Sequence, residues 1–164
     1  MQKLNRITPC LWFDTQAEDA ARFYTGIFKD SKIVVINRYG EAGREVHHKP
    51  PGTVMVVAFE LCGQTFTALN GGPKFKFNEA ISFQVNCESQ EELDHYWENL
   101  SEGGDEKAKQ CGWLKDKFGL SWQIVPTILP KLLSGSGQQS QRVMTAMLQM
   151  KKIDIDKLKQ AYDG

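Results

Sequence analysis

Residues 7–27 read ITPCLWFDTQAEDAARFYTGI, and residues 80–100 read AISFQVNCESQEELDHYWENL. Both stretches open on a short apolar run, pass a Thr/Ser-x-x-Glu box and continue with apolar residues at helical spacing. In the first, Ile7–Asp14 predicts a strand, Thr15 and Glu18 predict a capping box, and Ala17, Ala20, Ala21, Tyr24 and Ile27 fall on one helix face. In the second, Ala80–Cys87 predicts a strand, Ser89 and Glu92 the box, and Leu93, Tyr96, Trp97 and Leu100 the apolar stripe. Pro9 has no N–H to give to a ladder, so it belongs near the strand start or on an unpaired side.

Working outward, each unit continues with extended segments. After the first helix, Lys32–Tyr39 is β-branched and strand-like. Gly40–Gly52 is polar and rich in Gly and Pro, a loop. Thr53–Leu61 and Thr65–Leu69 read as a hairpin turning through Cys62-Gly63-Gln64, and Asn70-Gly71-Gly72-Pro73 breaks it. After the second helix, Gly103-Gly104 is a stop. A strand is expected near Lys107–Cys111, and Gly112–Lys115 with Leu120–Val125 reads as a hairpin around Asp116-Lys117-Phe118-Gly119. Strand, helix and three strands occurring twice make an internal βαβββ duplication, so the fold class is α+β. The expected boundaries are 1–74 for the first module, 75–133 for the second and 134–164 for a linker and C-terminal helical extension, all in one compact domain. Ser134–Ser140 reads as a flexible connector. Val143, Met144, Met147 and Leu148, then Ile155, Leu158 and Tyr162, form helical stripes that dock on the body or on a partner subunit.

The chain's 164 residues carry 20 Lys+Arg and 20 Asp+Glu, a formal net charge of zero that argues against an electrostatic claim on nucleic acid or an anionic membrane. No apolar run is long enough to span a bilayer, and Met1–Arg6 lacks the apolar core of a signal peptide, so a cytoplasmic protein is expected. Cys10, Cys62, Cys87 and Cys111 form no CxxC, which argues against a zinc site or a redox dithiol; all four are expected to be buried free thiols. His47 and His48 lie in the polar loop and point to opposite sides of an extended chain, and His95 lies off the apolar stripe; all three read as solvated. On the last strand, Ser121, Gln123 and Val125 share one face while Leu120, Trp122 and Ile124 share the other, which suits helix packing. Ser82 and Gln84 likewise share a face.

The duplication, together with the segments TPCLWF (8–13), AEDAARFY (17–24), ALNGGP (68–73), FNEA (77–80), GWLKDKFGLSWQIVP (112–126) and the C-terminal residues 144–162, resembles the PhnB-like branch of the vicinal oxygen chelate superfamily. That superfamily includes glyoxalase I, extradiol dioxygenases and bleomycin-resistance proteins, and the branch carries an older demethylubiquinone methyltransferase label. The resemblance implies that the two modules form a curved mixed β-sheet with a ligand cleft, in a homodimer. It also implies metal ligands, usually His and Glu, from the first and fourth strands of each module. Here those positions fall at or beside Pro9, among Thr67–Asn70, among Ala80–Ser82 and on Gln123, so no metal and no cofactor is expected. The expected ligand-binding set is Trp12, Asn70, Phe75, Phe77, Ser82, Gln84, Trp113 and Gln123, aromatic surface with a few placed polar groups. The expected function is sequestration of a small organic molecule. The alternatives are an isomerase, lyase or dioxygenase with an atypical metal site, or methyl transfer. The last would call for a glycine-rich strand-to-helix turn, and Asn70-Gly71-Gly72-Pro73 leads instead into extended sequence.

Overall fold

The computed structural model describes residues 5–135 and 137–164. The readings of the first four residues and of Ser136 in the connector lie outside the described residues. The chain forms two compact units, one ending at Phe77 and one running from Asn78 to Gly164.

The first unit contains β1 (Cys10–Phe13), α1 (Ala17–Ile27), β2 (Lys32–Arg38), a short α2 (Arg44–His47), β3 (Val54–Leu61) and β4 (Gln64–Asn70). Its sheet has the order β1-β4-β3-β2, with β1 parallel to β4 and the other pairs antiparallel. Pro9 sits just before β1, where its carbonyl accepts the Thr67 N–H at 2.9 Å and its missing N–H costs nothing. The β3–β4 turn uses Cys62 and Gly63, both at positive φ (48° and 80°), the backbone that a tight two-residue hairpin requires. Ala17, Ala20, Ala21, Tyr24 and Ile27 are all buried, as their spacing predicts. Three alanines on that face let α1 sit close to the sheet. Tyr24 stacks on Phe59 and Phe59 on Phe66, with ring centroids 6.3 and 5.4 Å apart.

Two local expectations for this unit change. The Thr15 box does not form: Gln16 is the N-cap and makes no side-chain cap bond. The orphan N–H of Ala17 donates instead to Asn70 Oδ1 at 2.8 Å, so the cap arrives from the end of β4. The Gly40–Gly52 loop contains the single turn α2, entered from Gly43 and left through His48, both in the left-handed region.

The second unit repeats the plan with β5 (Phe83–Cys87), α3 (Gln90–Ser101), β6 (Trp113–Lys115) and β7 (Ser121–Pro126), in the order β5-β7-β6, β5 parallel to β7. Here the Ser89 hydroxyl accepts the Glu92 N–H at 3.2 Å, and the Glu92 carboxylate accepts the Glu88 N–H at 2.8 Å. Leu93, Tyr96, Trp97 and Leu100 are buried against the strands. The strand expected near Lys107–Cys111 is a 3₁₀ turn at Glu106–Ala108 and a single bridge between Gln110 and Trp113. The N–H groups of Lys107, Ala108 and Lys109 turn back on Asp105 and Glu106. The N–H groups of Cys111 and Gly112, at φ 52° and 84°, donate to the carbonyls of Met150 and Lys151.

The C-terminal extension comprises α4 (Leu129–Leu133), α5 (Gly137–Leu148) and α6 (Ile155–Asp163). The expected connector is therefore shorter than Ser134–Ser140, since α5 begins at Gly137. Val143, Ile153, Ile155 and Leu158 are buried within the unit, whereas Met144 and Leu148 are exposed. The Gln90 side chain accepts the Ile155 N–H at 2.9 Å and donates to the Ile153 carbonyl at 3.1 Å. Lys152 pairs with Asp94 at 2.8 Å.

The β6–β7 turn is built on a buried carboxylate. Asp116, 2% exposed, accepts the N–H groups of Phe118 (2.9 Å) and Leu120 (3.1 Å) on Oδ1 and the Trp122 indole N–H (2.8 Å) on Oδ2. Asp116→Asn turns one acceptor into a donor and leaves an N–H unsatisfied, which costs about 1–3 kcal/mol. Urea unfolding is expected to show a lower midpoint at an unchanged slope; an unchanged midpoint would mean that the carboxylate does not hold the turn.

Candidate functional site

In the second unit the strand register sorts the side chains into two faces. Leu114, Trp122 and Ile124 are buried on the α3 side. The opposite face carries Trp113 across from Gln123, Lys115 across from Ser121, and Gln84 beside Gln123. Gln84 is exposed, and Ser82, Trp113, Lys115 and Gln123 are half-buried. Four of the expected site residues, Ser82, Gln84, Trp113 and Gln123, lie there. Gln123 Nε2 donates to Ser82 Oγ at 2.8 Å, and Gln84 Nε2 donates to Gln123 Oε1 at 3.3 Å. Ser82 lies just before β5, which begins at Phe83 and not at Ala80.

Two further features of this face escape sequence reading. Lys115 pairs with Glu79, on the segment leading into β5. The hydrogen bond from Lys115 is the main reason that the Glu79 carboxyl is held below the usual carboxylate range. Its folded value lies below its unfolded one, so the pair contributes above the ordinary carboxylate range and is lost as pH falls through the lowered value. The second feature is Ser121, 1% exposed, whose hydroxyl has no hydrogen-bond partner. An unsatisfied buried hydroxyl costs about 1–3 kcal/mol.

The other four expected residues lie in the first unit. Trp12 packs edge-on to Phe75 (centroids 4.9 Å apart) and donates its indole N–H to the Gly72 carbonyl at 2.8 Å. Gly71 is obligatory there, because a Cβ would lie 2.2 Å from the Trp12 ring. Phe75 is 55% exposed, and Phe77 meets Phe13 edge-on at 5.2 Å. Asn70 uses both ends of its amide structurally: Oδ1 caps α1, and Nδ2 donates to the Val54 carbonyl at 3.1 Å. It also borders a cavity of about 600 Å³ lined by Asp14, Glu18, Asp19, His48 and Lys49 among others.

The family model described as 3-demethylubiquinone-9 3-methyltransferase matches residues 5–125. The chain belongs to this family. The family is PhnB-like. A solved PhnB protein from Bacillus cereus, bearing the same methyltransferase name, is 37% identical with a TM-score of 0.63; the match covers 74% of this chain and 99% of that one. A protein from Pseudomonas aeruginosa is 18% identical with a TM-score of 0.56, covering 74% of this chain and 96% of its own, a likeness of fold. A glyoxylase/bleomycin resistance protein/dioxygenase domain from Frankia is 18% identical with a TM-score of 0.45, covering 73% and 90%. No curated protein matches the chain.

The superfamily resemblance makes a metal worth testing against the side chains. On the uncovered face of the first sheet, β1 offers Cys10 and Trp12, and β4 offers Thr67 and Leu69. The second sheet offers Gln123 with Ser82, already bonded to each other. Among the described residues no group of three or more His, Cys, Asp or Glu is placed to hold an ion. A carboxamide committed at both ends, a hydroxyl, a thiol and aliphatic carbons do not fit a divalent cation that takes His and carboxylate ligands.

The thiols differ from expectation. Cys10 and Cys62 are exposed, Cys111 is half-buried and only Cys87 is buried. The first two sit at an uncovered strand position and a tight turn, where spacing alone does not report burial. Burial, and then the nearby Glu92 charge, pushes the Cys87 thiol up to about 12. At pH 8 a thiol reagent is expected to label Cys10 and Cys62 in the native protein and Cys87 only after unfolding. Native labelling of Cys87 would contradict its place under α3.

Proposed function

We propose that this protein binds a small organic molecule, without a metal, on the polar face of its second sheet. The reading is carried by one observation: Gln123, at a position where the superfamily resemblance puts a metal ligand, is tied by its amide into a Ser82–Gln123–Gln84 chain. Neutral amides and hydroxyls orient a ligand through hydrogen bonds, and Trp113 supplies apolar surface on the same face. Each amide nitrogen keeps a second hydrogen to donate, so the face favours acceptor groups. Trp12 and Phe75 give the first unit an aromatic surface of its own, suited to stacking. The family's methyltransferase name gets no support from the glycine-rich exit of β4, because Gly71 and Gly72 serve the Trp12 side chain and are followed by irregular backbone, not by a helix.

Gln123→Ala is the decisive variant. With a panel of small organic compounds, the thermal stabilisation that a binding compound gives the parent protein is expected to fall by at least about tenfold in apparent affinity, while the ligand-free melting temperature changes little. Intact affinity with collapsed stability would make Gln123 a structural residue and end this reading.

A further inference from the structure

We infer that the face around Ser121 takes the carboxylate of a small aromatic acid, which displaces Glu79 from Lys115. This subsite rests on the ligand-binding reading above and names the ligand class for it.

Ser121 carries the first observation. Its hydroxyl is buried and unpartnered, on a strand whose alternation puts it on the same face as Gln123. Folded proteins leave few such groups without a partner, and a ligand or an ordered water is the usual remedy. Lys115 stands directly across in the register, so an ammonium and a free hydroxyl share one end of the face. That combination of a cation and a neutral donor recognises a carboxylate, whose two oxygens accept one bond from each.

Glu79 supplies the second observation. It already places a carboxylate on Lys115, from an irregular segment and with its side chain 62% exposed, while the Lys115 side chain is 23% exposed. An exposed, flexible Glu is a weak competitor, because it gains modest Coulomb energy in high dielectric and pays side-chain entropy to hold one geometry. A carboxylate presented by a ligand that also covers Trp113, and takes the spare donors of Gln84 and Gln123, gains contacts that Glu79 does not make. Exchange leaves the charge count on Lys115 unchanged and frees Glu79 into water. The aromatic body follows from Trp113, the large apolar side chain on this face across from Gln123.

The test uses the full chain with benzoate as the acid and benzamide as its neutral counterpart, read by calorimetry and thermal shift. Benzoate is expected to bind at least about tenfold more tightly than benzamide, with Lys115→Gln removing the difference. Glu79→Gln is expected to tighten benzoate several-fold by removing the competitor. Ser121→Ala is expected to weaken benzoate while raising the ligand-free melting temperature by about 2–4 °C, as the orphan hydroxyl is gone. A merely structural serine would not give those two changes together. Equal binding of the two probes, both lost in Gln123→Ala, would overturn the carboxylate subsite and leave the ligand face standing. Weaker benzoate binding in Glu79→Gln, or a lower ligand-free melting temperature in Ser121→Ala, would overturn the exchange with Glu79 or the role given to Ser121. Absence of binding by either probe would overturn the subsite outright.

Discussion

A carboxylate removed from water is tolerated only when donors surround it, and Asp116 is satisfied by three N–H groups from its own hairpin. Two come from the turn backbone and the third from the indole of Trp122, a core residue two places into the next strand segment after Leu120. The carboxylate thereby couples the turn to the helix-facing side of the sheet. With Trp122 fixed toward α3, Ser121 and Gln123 must face away, and the pairings Trp113 with Gln123 and Lys115 with Ser121 follow. A slip of one residue would exchange the two faces completely. Every polar contact on the candidate site depends on that register.

The polar face carries neutral groups, Ser82, Gln123 and Gln84, at and beside a position where the superfamily resemblance implies a metal ligand. A carboxylate or imidazole on a strand exit needs a cation or a proton to offset its desolvation. A Gln–Ser–Gln chain satisfies itself at little energetic risk, because each net hydrogen bond is worth about 0.5–1.5 kcal/mol and nothing charged is left unpaired. Lewis-acid polarisation of a substrate needs the cation; an amide chain positions acceptors and discriminates shape. The charge that remains on this face sits on Lys115 and is answered by Glu79.

How much of this was legible in the sequence depends on the range of the interaction. The apolar stripes of α1 and α3 reflect local periodicity, and every named stripe position is buried. The Cys62-Gly63 turn and the Ser89 cap are local as well, and both form. The Thr15 box gives way to a helix whose N-cap lies one residue later, at Gln16, with a distant residue, Asn70, accepting the N–H of Ala17. The strand expected near Lys107–Cys111 fails because the N–H groups of Lys107, Ala108 and Lys109 turn back on Asp105 and Glu106, and that of Cys111 goes to Met150. For the site, alternation placed Ser82, Gln84 and Gln123 on common faces, and the structure joins them. The Glu79–Lys115 pair and the orphan hydroxyl of Ser121 have no local signature, since both arise from the way separate strands come together. Trp12, Phe75 and Phe77 belong to the first unit, where Trp12 is steered by Gly71 and Gly72, a constraint visible only once the ring's position is known.

The C-terminal extension bears on the site through backbone bonds. The family model ends at residue 125, and the extension lies beyond it. Its carbonyls at Met150 and Lys151 accept the N–H groups of Cys111 and Gly112, the two residues immediately before Trp113. The Gly112 carbonyl in turn accepts the Ile124 N–H at 2.8 Å, so the start of β6 is held between the extension and β7. A side chain at Gly112 would meet the Ile124 carbonyl at 2.9 Å and Ile153 at 3.2 Å, which leaves glycine as the residue that fits, also at its φ of 84°. Gln90 and Lys152 fasten the same stretch to α3. A segment that looks like an appendage in the sequence is therefore one of the supports that fix where Trp113 stands on the polar face, and the extension and the site are parts of one bonded unit.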